Sequence, residues 1–396
     1  MRPLSRLPRW RPLAVLVAVL TGTGLWLWHS GHPPPPAPPP ATAVSAALGG
    51  GSDGAWARAY APRPFTFPAD HGAHADFRNE WWYVTGHLRA ADGRRFGYQF
   101  TLFRIGLHPG PLPADSAWRA QQWYLGHFAV SDLDGGRHQA RERYSRAALG
   151  LAGATREPLA IWLEDWRLDG GPDAGFPMRL RARDGGLSLD LQLTPLAPVV
   201  LQGEDGLSRK SSEPGNASYY YSFPRLASRG TLSLDGRNPV LAVEGTSWLD
   251  REWSTSALGP GQSGWDWFAL QLADGRNLML YRLRRSDGTT DPHSAGTLSD
   301  ATGRTTRLSA SGFTLTPEGR WTSPDGAAHY PAGWRLDIPS LGLKLHVRPQ
   351  LADQEMRLSV RYWEGAVAVD GHDAQGPVHG EGYLEMTRYE DGPAAP

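Results

Sequence analysis

The residues best suited to chemistry lie close together between Gly245 and Tyr281. Three carboxylic acids in this stretch, Asp250, Glu252 and Asp266, are interspersed with tryptophans and followed by a tyrosine. An apolar pocket keeps a carboxylic acid protonated, and aromatic faces stabilise a cation. Such a set could protonate an isolated alkene without a cofactor. We therefore predict four catalytic candidates and no cofactor: Asp250, Glu252, Asp266 and Tyr281.

Aromatic and polar residues elsewhere in the chain would complete a ligand-binding wall. Glu80 or His127 would supply a polar partner from the first half of the chain. A structural alternative is open for Glu80 and Glu252, each of which could form an internal ion pair with a neighbouring arginine. The predicted ligand-binding residues are Glu80, Trp81, Trp82, His127, Tyr219, Tyr221, Trp253, Trp265, Trp267 and Trp363.

The carboxylates and tryptophans of the central stretch need not share a pocket. Apolar residues alternate with polar ones from Trp265 to Leu272, a turn follows at Asp274–Arg276, and the chain returns from Asn277 to Leu283. This pattern predicts a β-hairpin. Successive side chains of a strand point to opposite faces, so Asp266 would face away from the flanking tryptophans.

Composition excludes several functional classes. The chain has 396 residues, no cysteine, and equal numbers of basic and acidic residues, 40 of each. It therefore has no thiolate site and no basic surface for nucleic acid. Asp70, His71, His74 and Asp76 lack regular ligand spacing, and no metal site is predicted. The absence of a Gly-x-Ser-x-Gly motif argues against a serine hydrolase.

The N-terminus is typical of an exported protein. Arginines precede an apolar run from Leu13 to Trp28, so residues 1–30 are predicted to be a signal peptide or a membrane anchor. Residues 31–55, rich in Pro, Ala and Gly, would be a linker. We expect the folded part in the periplasm or on the outer face of the inner membrane, contacting the membrane only if the segment is uncleaved.

The remaining sequence is typical of an all-β protein. Short alternating segments, among them Tyr219–Phe223 and Thr231–Leu234 as separate strands, are divided by Gly- and Pro-containing turns. They form two sets that could each close a small barrel. The predicted domains are residues 56–237 and 238–391. A helix is the alternative only at Ala140–Leu151. Glu-Trp pairs at Glu80 and Glu252, each followed by Ala-Asp-Gly-Arg, suggest that each barrel opens with the same motif.

An ordered set of short motifs between Pro64 and Tyr389 resembles the AttH/CrtC-like family. The motifs are Asp70-His71-Gly72, Glu80-Trp81-Trp82-Tyr83, Ser131-Asp132-Leu133, Ser208-Arg209-Lys210, Asn216-Ala217-Ser218-Tyr219-Tyr220-Tyr221-Ser222, Asp250-Arg251-Glu252-Trp253, Gly264-Trp265-Asp266-Trp267, Tyr362-Trp363-Glu364-Gly365 and Gly382-Tyr383-Leu384-Glu385. The resemblance implies tandem lipocalin-like (calycin) barrels, related to carotenoid 1,2-hydratases, fungal hydratases and Diels-Alderase-like cyclases. The Tyr-x-Asp pair of the carotenoid enzymes reads Tyr281-Arg282-Leu283 here, which argues against carotenoid hydration.

Three functional hypotheses follow, each from a different class. The first is a module that binds a hydrophobic molecule such as a lipid or isoprenoid, in a barrel or between the two. The second is a cofactor-independent hydratase, isomerase or cyclase that acts on an apolar alkene. The third is a glycan-binding or glycan-processing protein of the envelope, because tryptophans flanked by carboxylates also suit sugars. The sequence carries no signal for an oligomeric state.

Overall fold

The computed structural model describes residues 56–110, 116–236, 240–256 and 258–390, all within one compact unit. The predicted signal or anchor and the linker, residues 1–30 and 31–55, lie outside the described residues. Within the described ranges, no helix is both long enough and apolar enough to cross a membrane. Strands dominate, as the alternating sequence predicts.

The first sheet has 13 strands in the described residues. Their order along the main path is β4-β3-β2-β1-β13-β12-β9-β8-β7-β6-β5, with β10 and β11 paired to β12. The strands are β1 (Asn79–Ala90), β2 (Arg95–Gly106), β3 (Gln122–Asp132), β4 (Arg137–Arg146), β5 (Ala152–Arg156), β6 (Leu159–Leu163), β7 (Trp166–Gly171), β8 (Gly175–Asp184), β9 (Leu187–Pro195), β10 (Val200–Leu201), β11 (Leu207–Arg209), β12 (Ala217–Ser233) and β13 (Leu241–Ser254).

The second sheet has 10 strands in the order β17-β16-β15-β14-β25-β24-β22-β21-β18, with β23 paired to β24, and β19 and β20 form a separate pair. The strands are β14 (Gln262–Leu272), β15 (Asn277–Arg285), β16 (Ala295–Ser299), β17 (Thr305–Ser309), β18 (Thr314–Glu318), β19 (Trp321–Thr322), β20 (His329–Tyr330), β21 (Gly333–Ile338), β22 (Leu343–Pro349), β23 (Glu355–Arg357), β24 (Arg361–Asp373) and β25 (Gly376–Thr387).

Each sheet curls around its own apolar core. The first forms a nearly closed barrel and the second a half-barrel, and this confirms the prediction of two tandem lipocalin-like barrels. Alternate residues of each strand point into the core, as the two-residue period requires. Trp82, Phe100 and Trp253 lie in the first core, and Phe268 and Trp363 lie in the second.

Two predictions about single elements are wrong. The segment Ala140–Leu151, considered as a helix, begins inside β4, which pairs along its length with β3. Its alanines, leucines and arginines favour a helix in isolation, but pairing at the sheet edge decides the structure. Tyr219–Phe223 and Thr231–Leu234, predicted as two strands, belong almost entirely to the single long strand β12.

The two Glu-Trp pairs do not open separate barrels. Glu80 lies opposite Trp253, and Trp81 lies opposite Glu252, on the adjacent antiparallel strands β1 and β13 of the first sheet. The domain boundary between residues 237 and 238 stays a prediction. Since β13 follows that boundary and pairs within the first sheet, the change of sheet comes after Ser254.

The two sheets pack against each other through the faces that point away from their cores. Tyr83, Tyr220 and Trp248 of the first sheet join Trp267 and Tyr383 of the second in one buried cluster. The indole of Trp267 donates a hydrogen bond to the Tyr220 hydroxyl at 3.1 Å. We call these surfaces the facing sides of the two sheets, and they hold the candidate site.

Candidate active site

A cavity lies between the facing sides of the two sheets. Its walls come from alternate positions of several strands, because only every second side chain points toward the opposite sheet. Its volume is about 100 Å³. This is smaller than a dry cavity of about 150 Å³ that binds benzene in another protein. The lining residues are Trp81, Tyr83, Thr101, Phe103, Lys210, Tyr220, Asp250, Glu252, Ser254, Ser256, Leu258, Trp265, Trp267, Tyr281, Leu283, Tyr362, Glu364 and Glu385.

The structure brings six of the predicted site residues together at this cavity. They are the catalytic candidates Asp250, Glu252 and Tyr281 and the ligand-wall candidates Trp81, Trp265 and Trp267. Of these, Trp81 and Trp265 are partly exposed.

The other predicted site residues do not line the cavity, and most of them point into the barrel cores. Trp82, Tyr219, Tyr221 and Trp253 belong to the first core, and Trp363 belongs to the second. These residues are one position away in sequence from residues that line the cavity. A shift of one residue along a strand exchanges its two faces, so the predicted residue types were placed on the wrong face.

Asp266 lies on the core side of β14, away from the cavity. Its carboxylate accepts hydrogen bonds from Arg282 at 2.8 Å, Arg284 at 2.5 Å and the Tyr389 hydroxyl at 2.9 Å. This set gives Asp266 a buried structural role. As predicted from the alternation of the strand, Asp266 faces away from Trp265 and Trp267, which line the cavity.

Glu80 is also held in a barrel core. It forms buried ion pairs with Arg104 and Arg251 and accepts a hydrogen bond from the backbone of His74 at 3.0 Å. Despite the cost of burial, Arg104 and His74 hold the pKa of Glu80 far below its usual range. Glu80 is therefore ionised and fully paired, as the structural alternative for this residue proposed.

Asp250 and Glu252, two positions apart on β13, face the cavity in different protonation environments. Burial raises the pKa of Asp250 to about 7, although the residue accepts hydrogen bonds from Tyr220, Ser222 and Trp248 at 2.5–2.6 Å. Glu252 forms an ion pair with Lys210 at 2.8 Å rather than with the neighbouring Arg251. The first sheet thus presents one carboxyl that titrates near neutrality and one paired carboxylate.

Two further carboxylic acids, Glu364 and Glu385, face the cavity from the second sheet. They lie directly opposite each other on β24 and β25, where like charges destabilise one another. Burial, together with the charge of Glu385, raises the pKa of Glu364 well above its usual range. Burial raises that of Glu385 to about 7, against the effect of a hydrogen bond from the Trp265 indole at 3.0 Å.

Glu364 differs from the other three acids because neither oxygen has a hydrogen-bond partner among the described residues. The hydroxyls of Tyr83 and Tyr362 lie close enough to lower its pKa in part, but burial outweighs them. The Tyr83 hydroxyl also lacks a partner in the described ranges. An unpaired buried polar group costs about 1–3 kcal/mol, so a fold that keeps one calls for an explanation.

The remaining walls are aromatic and surround one ammonium group. The Lys210 Nζ lies 4.5 Å from the centre of the Tyr281 ring, and the Tyr281 hydroxyl is 3.0 Å from Ser208. Burial lowers the pKa of Lys210, but the Glu252 carboxylate outweighs this effect and leaves it raised. Lys210 therefore stays charged, and its position over the ring shows that the cavity holds a cation against an aromatic face.

His127 does not line the cavity but contacts a residue that does. Its Nδ1 is 2.7 Å from the Tyr362 hydroxyl, and its Nε2 is 3.2 Å from Glu142. The histidine lies on β3 of the first sheet and Tyr362 on β24 of the second. The predicted polar partner thus acts across the two sheets rather than on a ligand directly.

Several functional residues were missed by the sequence analysis although their motifs were noted. Lys210, Tyr220, Glu364 and Glu385 occur in the segments that carry the family resemblance. The sequence offered one clue to Glu364, because it directly follows Trp363, which was predicted as a ligand-binding residue from the same motif.

No group of three or more His, Asp or Glu side chains in the described ranges could hold a metal ion. Asp70 and His74 are bonded to each other at 3.1 Å, and His71 is bonded to Tyr221 at 2.6 Å. These residues connect the N-terminal segment to the first barrel.

Comparison with known proteins places the chain in a family. The model of the AttH-like family matches residues 58–389, which is most of the chain. The chain belongs to the AttH-like family. A solved structure assigned to AttH, from Nitrosomonas europaea, is 34% identical and covers 84% of this chain and 99% of its own, with a TM-score of 0.75.

Kievitone hydratase from Nectria haematococca shares the fold of this AttH-like protein at low identity. Its structure is 15% identical, covers 85% of this chain and 97% of its own, and has a TM-score of 0.65. No curated protein sequence matches the chain.

Proposed function

We propose that this AttH-like protein is a cofactor-independent enzyme that protonates an apolar alkene in the cavity between its sheets, with hydration as the outcome. The observation that carries the proposal is Glu364, a carboxyl buried among aromatic side chains whose oxygens make no hydrogen bond of ordinary geometry in the described ranges. Because its pKa lies well above the usual range, Glu364 keeps its proton at neutral pH. A neutral carboxylic acid in an apolar site is what alkene protonation needs.

The cavity also suits the cation that protonation would create. Trp265 and Trp267 present aromatic faces, which stabilise positive charge by about 0.5–2 kcal/mol per contact. The carboxyl groups of Asp250 and Glu385 gain negative charge near pH 7 and would stabilise the cation further. The walls around the cavity limit the access of water to such an intermediate.

The size of the cavity defines the substrate class. About 100 Å³ accommodates the reacting end of a molecule, so a longer apolar tail would extend through the opening past Trp265, Lys210 and Leu258, which are partly exposed. A terminal or trisubstituted alkene of the isoprenoid type fits this description. Kievitone hydratase, which shares the fold, is named for a hydration.

Deuterium labelling tests the proposal whatever the product of the reaction is. The protein would be incubated in D₂O with a panel of isoprenoid alkenes of increasing chain length, and recovered substrates and products analysed by mass spectrometry. Protonation by the enzyme leaves a carbon-bound deuterium whether the cation then takes up water, isomerises or cyclises. We expect deuterium with at least one member of the panel, and a decrease of about 10²-fold or more in Glu364→Gln.

A second candidate function, the binding of a hydrophobic molecule without turnover, is favoured by the mostly apolar walls of the cavity. Quenching of the cavity tryptophans by a panel member, with no carbon-bound deuterium, would support binding and contradict the enzyme proposal. Export to the periplasm and N-terminal anchoring remain part of the proposed setting.

A further inference from the structure

A chain of hydrogen bonds leads from the cavity to the protein surface. The Tyr362 hydroxyl, which lines the cavity, is 2.7 Å from Nδ1 of His127. Nε2 of His127 is 3.2 Å from Glu142, whose carboxylate accepts a hydrogen bond from the exposed Ser359 hydroxyl at 2.6 Å. Tyr362 and His127 are fully buried, and only the Glu142 end approaches solvent.

The protonation state of Glu142 fixes the direction of these hydrogen bonds. Although burial opposes it, hydrogen bonds from His127 and Ser359 hold the pKa of Glu142 below its usual value. The group is therefore a carboxylate and can only accept. Nε2 of His127 must then carry a proton, and in the neutral form of the ring Nδ1 is the acceptor of the Tyr362 hydroxyl proton.

This order of groups is that of a carboxylate, a histidine and a hydroxyl in a catalytic triad, where the histidine removes the hydroxyl proton. Here the hydroxyl belongs to a tyrosine whose oxygen faces a cavity. Tyr362 and Glu364 are two positions apart on β24, so both side chains point to the same side of the sheet.

We propose that Glu142, His127 and Tyr362 form a proton relay that takes the proton from the attacking water and returns it to Glu364. The inference rests on the proposed function, because it assigns the base for the same reaction. Tyr362 would contact the water and is the catalytic residue, while His127 and Glu142 are positioning residues that act through it.

The proton balance of the cycle closes. Glu364 gives its proton to an alkene carbon, the carbon–carbon π bond breaks, and a carbocation and a carboxylate remain. Water forms a carbon–oxygen bond to the cation and loses a proton to the Tyr362 oxygen, as the hydroxyl proton of Tyr362 moves to Nδ1 of His127. The imidazolium is stabilised by Glu142. The proton then returns through Tyr362 to the Glu364 carboxylate, and the enzyme is restored.

The path also explains why His127 crosses from one sheet to the other. On the adjacent strand β4 it lies opposite Glu142, and it contacts Tyr362 of the second sheet, so it joins a partly exposed carboxylate to the wall beside the proposed acid. The other titratable groups near Tyr362 are Glu364, Glu385 and Glu142. Burial is the largest cause that raises the pKa of Tyr362 well above its usual value, so it starts each cycle as a neutral hydroxyl.

Nitrogen-15 NMR of histidine-labelled protein tests the resting relay without any substrate. We expect His127 at pH 7 as a neutral ring protonated at Nε2, with an Nδ1 signal that shifts in Tyr362→Phe. A ring protonated at Nδ1, or an imidazolium at pH 7, would overturn the proposal.

The second test uses whichever alkene gains deuterium in the D₂O panel. His127→Gln can keep both hydrogen bonds but cannot carry a proton through the ring, so we expect alcohol formation to fall by about 10²-fold or more. Deuterium exchange into recovered alkene should persist, because the cation can still lose its proton to the Glu364 carboxylate. Equal loss of exchange and hydration would contradict the relay.

His138→Gln is the matched control. His138 is a partly buried histidine on β4, 2.9 Å from Ser131, and it has no hydrogen bond to a cavity residue in the described structure. We expect the ratio of alcohol to deuterated alkene to match that of the native protein. If the NMR result holds but no panel member gains deuterium, the proposed function fails. If deuterium is gained but the ratio of alcohol to deuterated alkene is the same in His127→Gln as in the native protein, only the relay fails.

Discussion

Asp250 makes the stability of the protein depend on pH in a defined window. Its carboxyl titrates near 3.8 in the unfolded chain and at about 7 in the folded protein, so the folded state binds more protons between these values. The free energy of unfolding of the native protein therefore loses about 1.4 kcal/mol per pH unit from this group as pH rises from about 4 to 7.

Asp250→Asn removes this contribution, because its amide resembles the protonated acid. We expect the free energy of unfolding of the variant, minus that of the native protein, to increase by about 4 kcal/mol between pH 4 and 7 and then to level off. Urea denaturation at several pH values measures it. A difference that does not vary with pH would show that Asp250 is ionised throughout.

The Lys210–Glu252 pair should behave as one buried unit. Lys210→Met leaves the Glu252 carboxylate without its cation, at a cost of about 3–5 kcal/mol. The double variant Lys210→Met, Glu252→Gln removes both charges and should recover most of that loss. A double-mutant cycle by chemical denaturation measures the coupling, and additive single effects would contradict a buried pair.

At the scale of the strand, the sequence predicted where strands occur, but not which side chains of a strand point to the cavity and which to a barrel core. The hairpin from Trp265 to Leu283 is present because one alternating pattern, Trp265 to Leu272, and one Asp-Gly turn specify it. In the first half of β12, residues 217–224, both faces are buried, one by the first core and one by the second sheet. Polar and apolar residues then do not alternate. The sequence therefore does not distinguish Tyr220, which lines the cavity, from Tyr219 and Tyr221, which lie in the first core.

The sequence also could not predict the raised pKa values of the carboxylic acids in the second sheet. Glu364 and Glu385 acquire their raised pKa values mainly because both are buried where the two sheets meet, and for Glu364 the charge of Glu385 adds to this effect. That burial depends on packing between strands that are far apart in the sequence, and residue types alone do not contain it. Likewise, His127 meets Glu142 through pairing of β3 with a segment that its composition favours as a helix.

The two faces of β14 should respond to substitution in opposite ways. Asp266→Asn weakens a buried set of ion pairs in the second core, so we expect a loss of about 3–5 kcal/mol in stability with deuterium incorporation retained. Trp267→Leu on the cavity face should instead reduce incorporation. Denaturation and the D₂O assay, run on both variants, separate the faces. Loss of incorporation in folded Asp266→Asn protein would place Asp266 in the reaction.

At the scale of the whole molecule, the site exists only where the two sheets meet. Gly97 permits that contact, because a Cβ at this position would lie 2.7 Å from Ala366 Cβ and 2.9 Å from the Tyr383 hydroxyl. A Cβ at Gly312 would lie no closer than 3.7 Å to any neighbour. The sequence predicted two barrels and left open whether a ligand would lie in one of them or between them, and the candidate cavity lies between the sheets.

Gly97→Val should therefore separate the sheets. We expect the free energy of unfolding to fall by about 1–3 kcal/mol. The unfolding transitions measured by tryptophan fluorescence and by far-ultraviolet circular dichroism should shift together, because both sheets share one interface. Gly312→Ala is the control and should change neither. Separate transitions for the two signals in the native protein would contradict a shared interface.

The state of Glu364 at alkaline pH tests the central claim most directly, since the proposed chemistry depends on a proton held in the cavity. Infrared difference spectroscopy of the native protein against Glu364→Gln at about pH 8.5 reports the carbonyl stretch of a protonated carboxyl. At this pH Asp250 and Glu385, which titrate at about 7, are mostly ionised, so the remaining band belongs to Glu364. We predict that the band is present and that Glu364→Gln removes it. A carboxylate signal in its place would contradict an acid at this site.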